Sequence, residues 1–186
     1  MLFRSVRGVV RVSASEVVGV EVLPPIITRL RQQHPHLKVE LVLTNRLIDL
    51  LQLEADIAVR MVRPSQAQLL AQRIGLIEVG LHARDDYLHQ HGTPQELKDL
   101  SGHAVIGYDQ ENAFIRSLAV KGFERSTFAL SSDSDLAQLA LIRAGAGIGG
   151  CQVKLAKQDA RLQRVLPEAF ALKLDTWVTI DRKSTR

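Results

Sequence analysis

The sequence lacks the features that mark several large classes of protein. Its 186 residues include a single cysteine, Cys151, so no intrachain disulfide can form, which favours a reducing compartment. No run approaches the ~20 apolar residues that cross a membrane. The amino terminus also lacks the basic-then-apolar layout of a signal peptide. We therefore expect a cytoplasmic protein that has no membrane partner.

Motifs for catalysis and metal binding are missing as well. The chain contains no G-x-S-x-G elbow, P-loop or H-E-x-x-H sequence. Its six histidines have no cysteines or acidic residues around them at ligand spacing, which favours surface histidines over a metal site. Cys151 lies in the apolar stretch GIGGCQ, which is typical of a buried structural thiol. We expect no catalytic residue, no metal site and no cofactor.

One stretch, GAGIGG at 145–150, matches the dinucleotide-binding pattern letter for letter. That pattern requires a strand, then the glycines, then a helix whose amino terminus meets the pyrophosphate. Here a helix is predicted before the glycines and a strand after them. We interpret the glycines as a helix C-cap followed by a close backbone approach.

Clustered positive charge, the usual footprint of nucleic-acid binding, is absent. Lys and Arg number 24 against 20 Asp and Glu, giving a net charge of +4. The ends, MLFRS at 1–5 and DRKSTR at 181–186, resemble translated sequencing-adapter DNA, and we expect them to be non-native. Arg4 adds one positive charge and the last six residues add two, so the net charge without them is +1. We expect no DNA contact from the remaining chain.

Hydrophobic residues make up 46% of the chain and charged residues 24%, an ordinary balance for a packed globular domain. The first third alternates strand and helix, the pattern of a parallel sheet with helices on its faces. Pro24 and Pro25 are expected in a first helical turn or at a kink. The predicted elements are strands at 9–12, 37–43 and 55–60 and helices at 20–33 and 46–53.

The rest of the chain predicts a second β/α set with no sequence repeat of the first. Thr93 is predicted to be the N-cap of a helical turn at 93–100. Pro94 would then be its first helical residue, and Glu96 would complete a capping box with Thr93. The other predicted elements are extended segments at 69–83, 103–108, 123–133, 147–152, 159–167 and 171–180 and a helix at 134–147.

Together the two sets predict an α/β fold of two lobes, each a mostly parallel sheet with flanking helices. We expect two extended crossovers to join them, near 79–83 and near 167–174. The predicted boundaries are 6–80 for lobe I and 81–170 for lobe II, with a return strand at 171–180.

The turn Ser13-Ala14-Ser15 links the first predicted strand to the first helix. A helix start offers free N–H groups and a positive helix end, which can hold an anion or a polar ligand. The alternative is that one of the two serines is a plain N-cap. Thr44-Asn45 and Arg60 also follow or end parallel strands, so we expect all three segments at one ligand-binding edge.

Arg60 ends the strand ADIAVR, where a guanidinium can clamp a carboxylate through two hydrogen bonds. The alternative is a salt bridge with a neighbour such as Asp56 or Glu16. The acidic pair Asp133 and Asp135 stands at a predicted helix start, where acids and caps are usual.

From these residues the chain resembles the effector-binding domain of LysR-type transcriptional regulators. The resemblance is carried by GVVRVSASEVVGVEVLPPIITRLRQQHPHLKVELVLTNRLIDLLQLEADIAVR, ARDDYLHQHGTPQELKDLSGHAVIGY and SSDSDLAQLALIRAGAGIG. It implies two lobes of the periplasmic-binding-protein type with a small effector between them that modulates transcription. It also implies a winged helix-turn-helix for DNA before this domain and a helix after it. Neither is in the sequence, so we expect a fragment truncated at both ends.

The resemblance further implies homo-oligomers, with the 20–33 helix of one chain beside the 134–144 helix of another. It assigns a set of positions to the effector cleft, in which Glu16 stands where a small or neutral residue is expected. Glu16 either repels a carboxylate effector or pairs with Arg60. The implied positions are Ser13, Ser15, Glu16, Val17, Thr44, Asn45 and Arg60 in lobe I and Tyr108, Ser131, Ser132, Gly147 and Ile148 in lobe II.

Two other functions stay open at this point. A solute-binding protein of a transporter would have the same two-lobe fold, since a fold does not determine a function. An enzyme on a doubly wound α/β fold is the second alternative, and a titratable group with a perturbed pKa in the cleft would support it.

Overall fold

Strands and helices alternate along the chain, which confirms the predicted α/β class. The computed structural model describes residues 6–45, 55–63, 69–109, 123 and 125–181. In chain order the elements are β1 (Gly8–Ala14), a π-helical turn (Val18–Val22), α1 (Leu23–Gln33), β2 (Leu37–Leu43), β3 (Ile57–Arg60), β4 (Leu69–Arg84), α2 (Asp85–His91), a 3-10 helix (Leu97–Gly102), β5 (Val105–Gly107), a 3-10 turn (Arg125–Thr127), β6 (Leu130–Ser131), α3 (Asp135–Ala144), β7 (Ile148–Gln152), α4 (Val153–Ala156), β8 (Leu162–Val165) and β9 (Leu172–Asp181).

The chain divides into two compact units. The first holds the described residues up to Leu76 together with those from Leu174 onwards. In its sheet β1 lies between β2 and β3 and runs parallel to both, with Ser13 opposite Val42 on one side and Ala58 on the other. Strand β9 returns antiparallel to β3 and also neighbours β4. Because β1, β2 and β3 are parallel, their carboxyl ends share one sheet edge.

The second unit spans Ile77–Lys173. Strands β5, β6 and β7 are parallel to their neighbours within that group, whereas β4 is antiparallel to β7 and to β8. A hydrophobic core packs beneath these strands and excludes water from the backbone hydrogen bonds. Its members include Leu81, Leu88, Val105, Phe123, Ile148, Val165 and Phe170.

The first helical segment starts earlier than predicted, at Glu16 instead of residue 20. Pro24 and Pro25 are the second and third residues of α1, in agreement with the predicted first turn or kink. Neither proline has an N–H to donate, so the regular ladder of hydrogen bonds is broken just before α1. The preceding turn widens into a π-helix, closed by the hydrogen bond from the Leu23 N–H to the Val18 carbonyl.

The predicted cap at Thr93 is wrong. The 3-10 helix begins after Glu96, which forms a reciprocal capping box with Asp99. The Asp99 carboxylate accepts hydrogen bonds from the N–H groups of Gln95 and Glu96 at 2.9 and 3.0 Å. Two N–H groups bound to a carboxylate outweigh the single weaker bond that a threonine hydroxyl offers, so the helix starts three residues later.

Other boundaries also differ from the prediction. The strand predicted at 123–133 is reduced, in its described part, to a 3-10 turn and the two residues of β6. Helix α2 was not predicted, because its polar sequence DDYLHQH has little apolar periodicity. The helix predicted at 46–53 and the terminal segments 1–5 and 182–186 lie outside the described residues.

The glycines of GAGIGG have the predicted structural role. Gly145 caps α3 in the left-handed conformation, with φ +78°, and its N–H donates to the Ile142 carbonyl. A Cβ on Gly147 would collide with the Ala104 carbonyl oxygen of the neighbouring chain segment. A helix precedes these glycines and β7 follows them, which is the reverse of a dinucleotide-binding turn.

Candidate functional site

The loops after β1 and β2 are joined at the shared strand-end edge of the first unit. The Thr44 N–H donates to the Ala14 carbonyl at 3.0 Å, which extends the parallel pairing past the end of β2. The Glu16 N–H donates to Asn45 Oδ1, also at 3.0 Å. The structure therefore brings together Glu16, Thr44 and Asn45, three of the positions implied by the resemblance.

Arg60 and Ser13 form a buried polar pair at the same edge. Arg60 is 8% exposed and Ser13 is fully buried. The Arg60 guanidinium donates through Nη2 to Ser13 Oγ at 2.6 Å and through Nη1 to the Val59 carbonyl at 2.9 Å. Burial lowers the pKa of Arg60 because the charged guanidinium loses water. This pair links the ends of β1 and β3.

Neither proposed salt-bridge partner of Arg60 forms an ion pair with it within the described residues. Asp56 instead accepts a hydrogen bond from the Arg11 N–H at 2.8 Å. Glu16 is tied to the neighbouring loop through its own N–H. Among the described residues, loss of water is the cause of the lowered Arg60 pKa, and no carboxylate of those residues contributes. The salt-bridge interpretation of Arg60 is therefore wrong for this part of the chain.

Trp177 lies on the same sheet face as this pair and was missed in the sequence. Ser13 is opposite Ala58, and Arg60 is directly opposite Trp177 on β9. Opposite residues, and residues two apart in one strand, share a face of a sheet. The guanidinium carbon of Arg63 lies 5.4 Å from the centre of the indole ring, a cation–π contact. The signal in the sequence was that Trp177 is the single tryptophan of the chain.

Two further first-unit positions have packing roles. Ser15 is buried and its hydroxyl donates to the Met61 sulfur at 3.8 Å. The Ser15 carbonyl also accepts the Gly19 N–H at 2.8 Å, so it supports the first helical turn. Val17 is buried in the core. Neither serine hydroxyl accepts an N–H of that turn, so the simple N-cap interpretation fails for Ser13 and Ser15.

In the second unit, Tyr108 and Ser132 lie near the start of α3. The Tyr108 hydroxyl donates to Asp135 Oδ1 at 2.5 Å. The Ser132 N–H donates to the Gly107 carbonyl at 3.0 Å, and its Oγ accepts the Ser134 N–H at 3.1 Å. Ser134, and not either aspartate, is the N-cap of α3. Asp135 is thus a member of this group that sequence reasoning treated only as a helix-start acid.

The remaining second-unit positions differ in exposure. Ser131 is exposed on β6. Gly147 is buried against the Ala104 carbonyl, and the same carbonyl accepts the Ile148 N–H at 2.9 Å. The Ile148 side chain is fully buried in the core of this unit. Any contribution of Gly147 and Ile148 to a ligand site therefore has to come through their backbone or through the packing behind it.

Asp109, two residues after the end of β5, is a second residue that the sequence did not single out. Its Oδ1 is buried and has no hydrogen-bond partner in the described structure.

Across the described ranges no three His, Cys, Asp or Glu side chains are grouped to hold a metal ion. In the same ranges no helix is both long and apolar enough to span a membrane.

The fold defines a class, the α/β domains of the periplasmic-binding-protein type. The regulatory domain of CrgA from Neisseria meningitidis has this fold, with a TM-score of 0.83 at 21% identity over 96% of this chain and 91% of that one. Full-length AphB, a virulence activator of Vibrio cholerae, gives a TM-score of 0.76 at 21% identity over 97% of this chain and 64% of that one.

The model of the LysR substrate binding domain matches residues 3–186, so the chain belongs to that family. The transcriptional regulator CrgA of Neisseria meningitidis serogroup C (strain 8013) is 25% identical over 165 residues, 87% of this chain. An uncharacterized HTH-type transcriptional regulator of Haemophilus influenzae is 27% identical over 184 residues, 95% of this chain. The chain spans 55% and 64% of the length of these two relatives.

Proposed function

We propose that the chain is the ligand-sensing domain of a LysR-type, DNA-binding transcription regulator in the cytoplasm. The observation that carries the proposal is the buried Arg60–Ser13 pair at a strand-end edge, in a chain of the LysR substrate-binding family. A small effector bound there shifts the equilibrium between two states of the protein, and thereby transcription. The size of the shift is set by the difference between its affinities for the two states. DNA contact belongs to a part of the regulator outside this sequence.

The proposed effector contacts include positions from both units. The first-unit set is supported by the hydrogen bonds that join the ends of β1, β2 and β3. The second-unit set is supported by the polar group around Tyr108 and the start of α3. The proposed positions are Ser13, Ser15, Glu16, Val17, Thr44, Asn45, Arg60, Tyr108, Ser131, Ser132, Gly147 and Ile148.

We also propose that the regulator is a homodimer that uses α1. Ile26 on α1 is 51% exposed, and Val22 and Leu30 on the same helical stretch are exposed too. These three apolar side chains are therefore not covered by the described part of the chain. A second copy that packed its α3 here would remove this surface from water, at about 25 cal/mol per Å² of apolar area.

A non-enzymatic role is supported by the relatives, which are transcriptional regulators. The same observation favours sensing over solute transport.

The test is a thermal-shift screen of the purified chain against small metabolites of varied charge. A bound ligand raises Tm in proportion to its concentration relative to Kd. Each compound that raises Tm is then given to cells that carry a reporter under the promoter of this gene, with the gene intact or deleted. We expect a gene-dependent change in reporter output. The proposal fails if no compound binds, or if binding compounds are consumed catalytically or alter only their own uptake.

A further inference from the structure

We propose that the ligand of this domain carries a carboxylate and that Arg60, supported by Ser13, binds that carboxylate. This inference rests on the proposed function and adds the chemical class of the ligand. Its starting point is a charge that the described structure does not balance.

Arg60 is a cation held away from water without a counter-charge. It is more than nine-tenths buried, and no carboxylate pairs with it in the described ranges. Burying an isolated charge is costly unless the charge is paired and hydrogen-bonded. The burial of this charge therefore costs stability for as long as no anion balances it. An anion that enters the site would supply the missing charge.

The guanidinium also has donors to spare. It carries five N–H groups in a planar fork, and two of them are used, on Ser13 Oγ and on the Val59 carbonyl. The other three have no acceptor among the described residues. The bond to Ser13 holds Nη2 in place, so the fork is already oriented before a ligand arrives. A carboxylate matches this planar fork through two parallel hydrogen bonds.

The surroundings favour a monoanion with an apolar body. Arg60 supplies a single buried positive charge, which one negative charge is enough to balance. A dianion such as phosphate would bring a second negative charge that Arg60 does not balance. Trp177 stands directly across from Arg60, and the Met61 thioether contacts Ser15. These groups offer apolar surface next to the cation.

The test measures Tm of the purified chain with sodium acetate at about 100 mM, against sodium chloride at equal ionic strength. Acetamide, the neutral isostere of acetate, and inorganic phosphate are tested in parallel. The variants are Arg60→Gln and Ser13→Ala. The matched control is Arg73→Gln, which removes an exposed guanidinium of the same unit that is paired with Asp175 at 2.8 Å.

We expect acetate, but not acetamide or phosphate, to raise Tm of the wild type and of Arg73→Gln. Arg60→Gln should lose this response, with the Kd for acetate raised at least about tenfold because a charged, bidentate contact is gone. Ser13→Ala should weaken it less, since the charge remains. If Arg60→Gln does not fold, the inference is tested by the two remaining comparisons. These are the acetate response of Ser13→Ala against that of the wild type, and acetate against acetamide in the wild type.

Three outcomes overturn the inference: acetamide acting as well as acetate, Arg60→Gln responding like the wild type, or phosphate acting more strongly than acetate. In the metabolite screen, a ligand that lacks a carboxylate and binds independently of Arg60 also overturns it, while the sensing function stands. A carboxylate that binds through Arg60 without any effect on transcription leaves this inference intact and removes the proposed function.

Discussion

The Arg60 guanidinium and the Ser13 hydroxyl, 47 residues apart in sequence, meet at 2.6 Å. Their hydrogen bond joins the carboxyl ends of two parallel strands, β3 and β1. Both side chains are buried, so water cannot replace either of them as the hydrogen-bond partner of the other. The pair is at once a structural link and the support of the proposed ligand contact.

Ser13→Ala should lower the free energy of unfolding by about 1–3 kcal/mol, because a buried charged donor loses its acceptor. Urea unfolding measures this loss. In an Arg60→Met background the same change should cost close to nothing, since both polar partners are then gone. An equal cost in both backgrounds would show that Ser13 acts through packing and not through Arg60.

Gly147→Ala should destabilise the second unit by about 1–3 kcal/mol, the usual cost of overpacking. The new Cβ would collide with the Ala104 carbonyl, which also accepts the Ile148 N–H. Gly150→Ala is the matched control, because its Cβ would lie 3.6 Å from Val79 Cγ1, an ordinary contact. Thermal unfolding of the two variants side by side gives the comparison; similar losses in both would contradict the predicted clash.

Stability should fall as the pH drops below about 6.5, the ordinary pKa of histidine. Burial lowers the pKa of His82, and the nearby Arg164 charge lowers it further, while the Nδ1–H donation to the Gly80 carbonyl at 2.9 Å raises it. Folding therefore favours neutral His82, and protons bind preferentially to the unfolded chain as the pH falls. The stability contributed by neutral His82 is present above about pH 6.5 and is lost below it.

His82→Asn keeps a donor for the Gly80 carbonyl and removes the titrating group. We expect a shallower dependence of unfolding free energy on pH between about 5 and 7 in this variant. Some slope should remain, because burial also lowers the pKa of His103. Urea unfolding at a series of pH values measures the slope, and circular dichroism at pH 8 checks that the variant is folded. An unchanged slope would rule out His82 as its source.

Ile26→Asp should convert a dimer into a monomer, because it places a charge in the centre of the exposed apolar surface of α1. Sedimentation velocity at several concentrations measures the change in mass. Thr28→Asp, two residues along the same helix and therefore on its opposite side, should leave the dimer intact. Loss of the dimer in both variants, or a wild type that is monomeric throughout, would contradict the proposed interface.

Local patterns predicted much of the fold. The apolar strands β1 and β2, the helix that ends at His34 and the glycine cap at Gly145 all follow from spacing and turn chemistry within a few residues. The wrong helix boundaries arose where neighbouring residues offer alternative hydrogen bonds, because spacing alone does not show which of these bonds forms. The Asp99 carboxylate, and not the Thr93 hydroxyl, accepts the N–H groups at the start of the 3-10 helix. The turn Val18–Val22 is π-helical because Pro24 and Pro25, which follow it, have no N–H to donate.

The candidate site was only partly predictable. Arg60 was identified from its place at a strand end, since parallel strands direct their last residues to one edge. Its pairing with Ser13, its lack of a carboxylate partner in the described ranges and its position across from Trp177 were not predictable. These depend on strand register between segments 47 and more than 100 residues apart. A shift by one residue would have sent every side chain to the other face.

The sequence by itself determined the family, the α/β class and the strand-end residues, because these follow from order, periodicity and turn chemistry along the chain. Tertiary structure alone decided that Arg60 is buried beside Ser13 without a balancing charge in the described residues, and that Ile26 and Leu30 on α1 stay exposed. Burial and charge balance are properties of segments brought together in space. No local pattern specifies which distant side chain will exclude water from a given group.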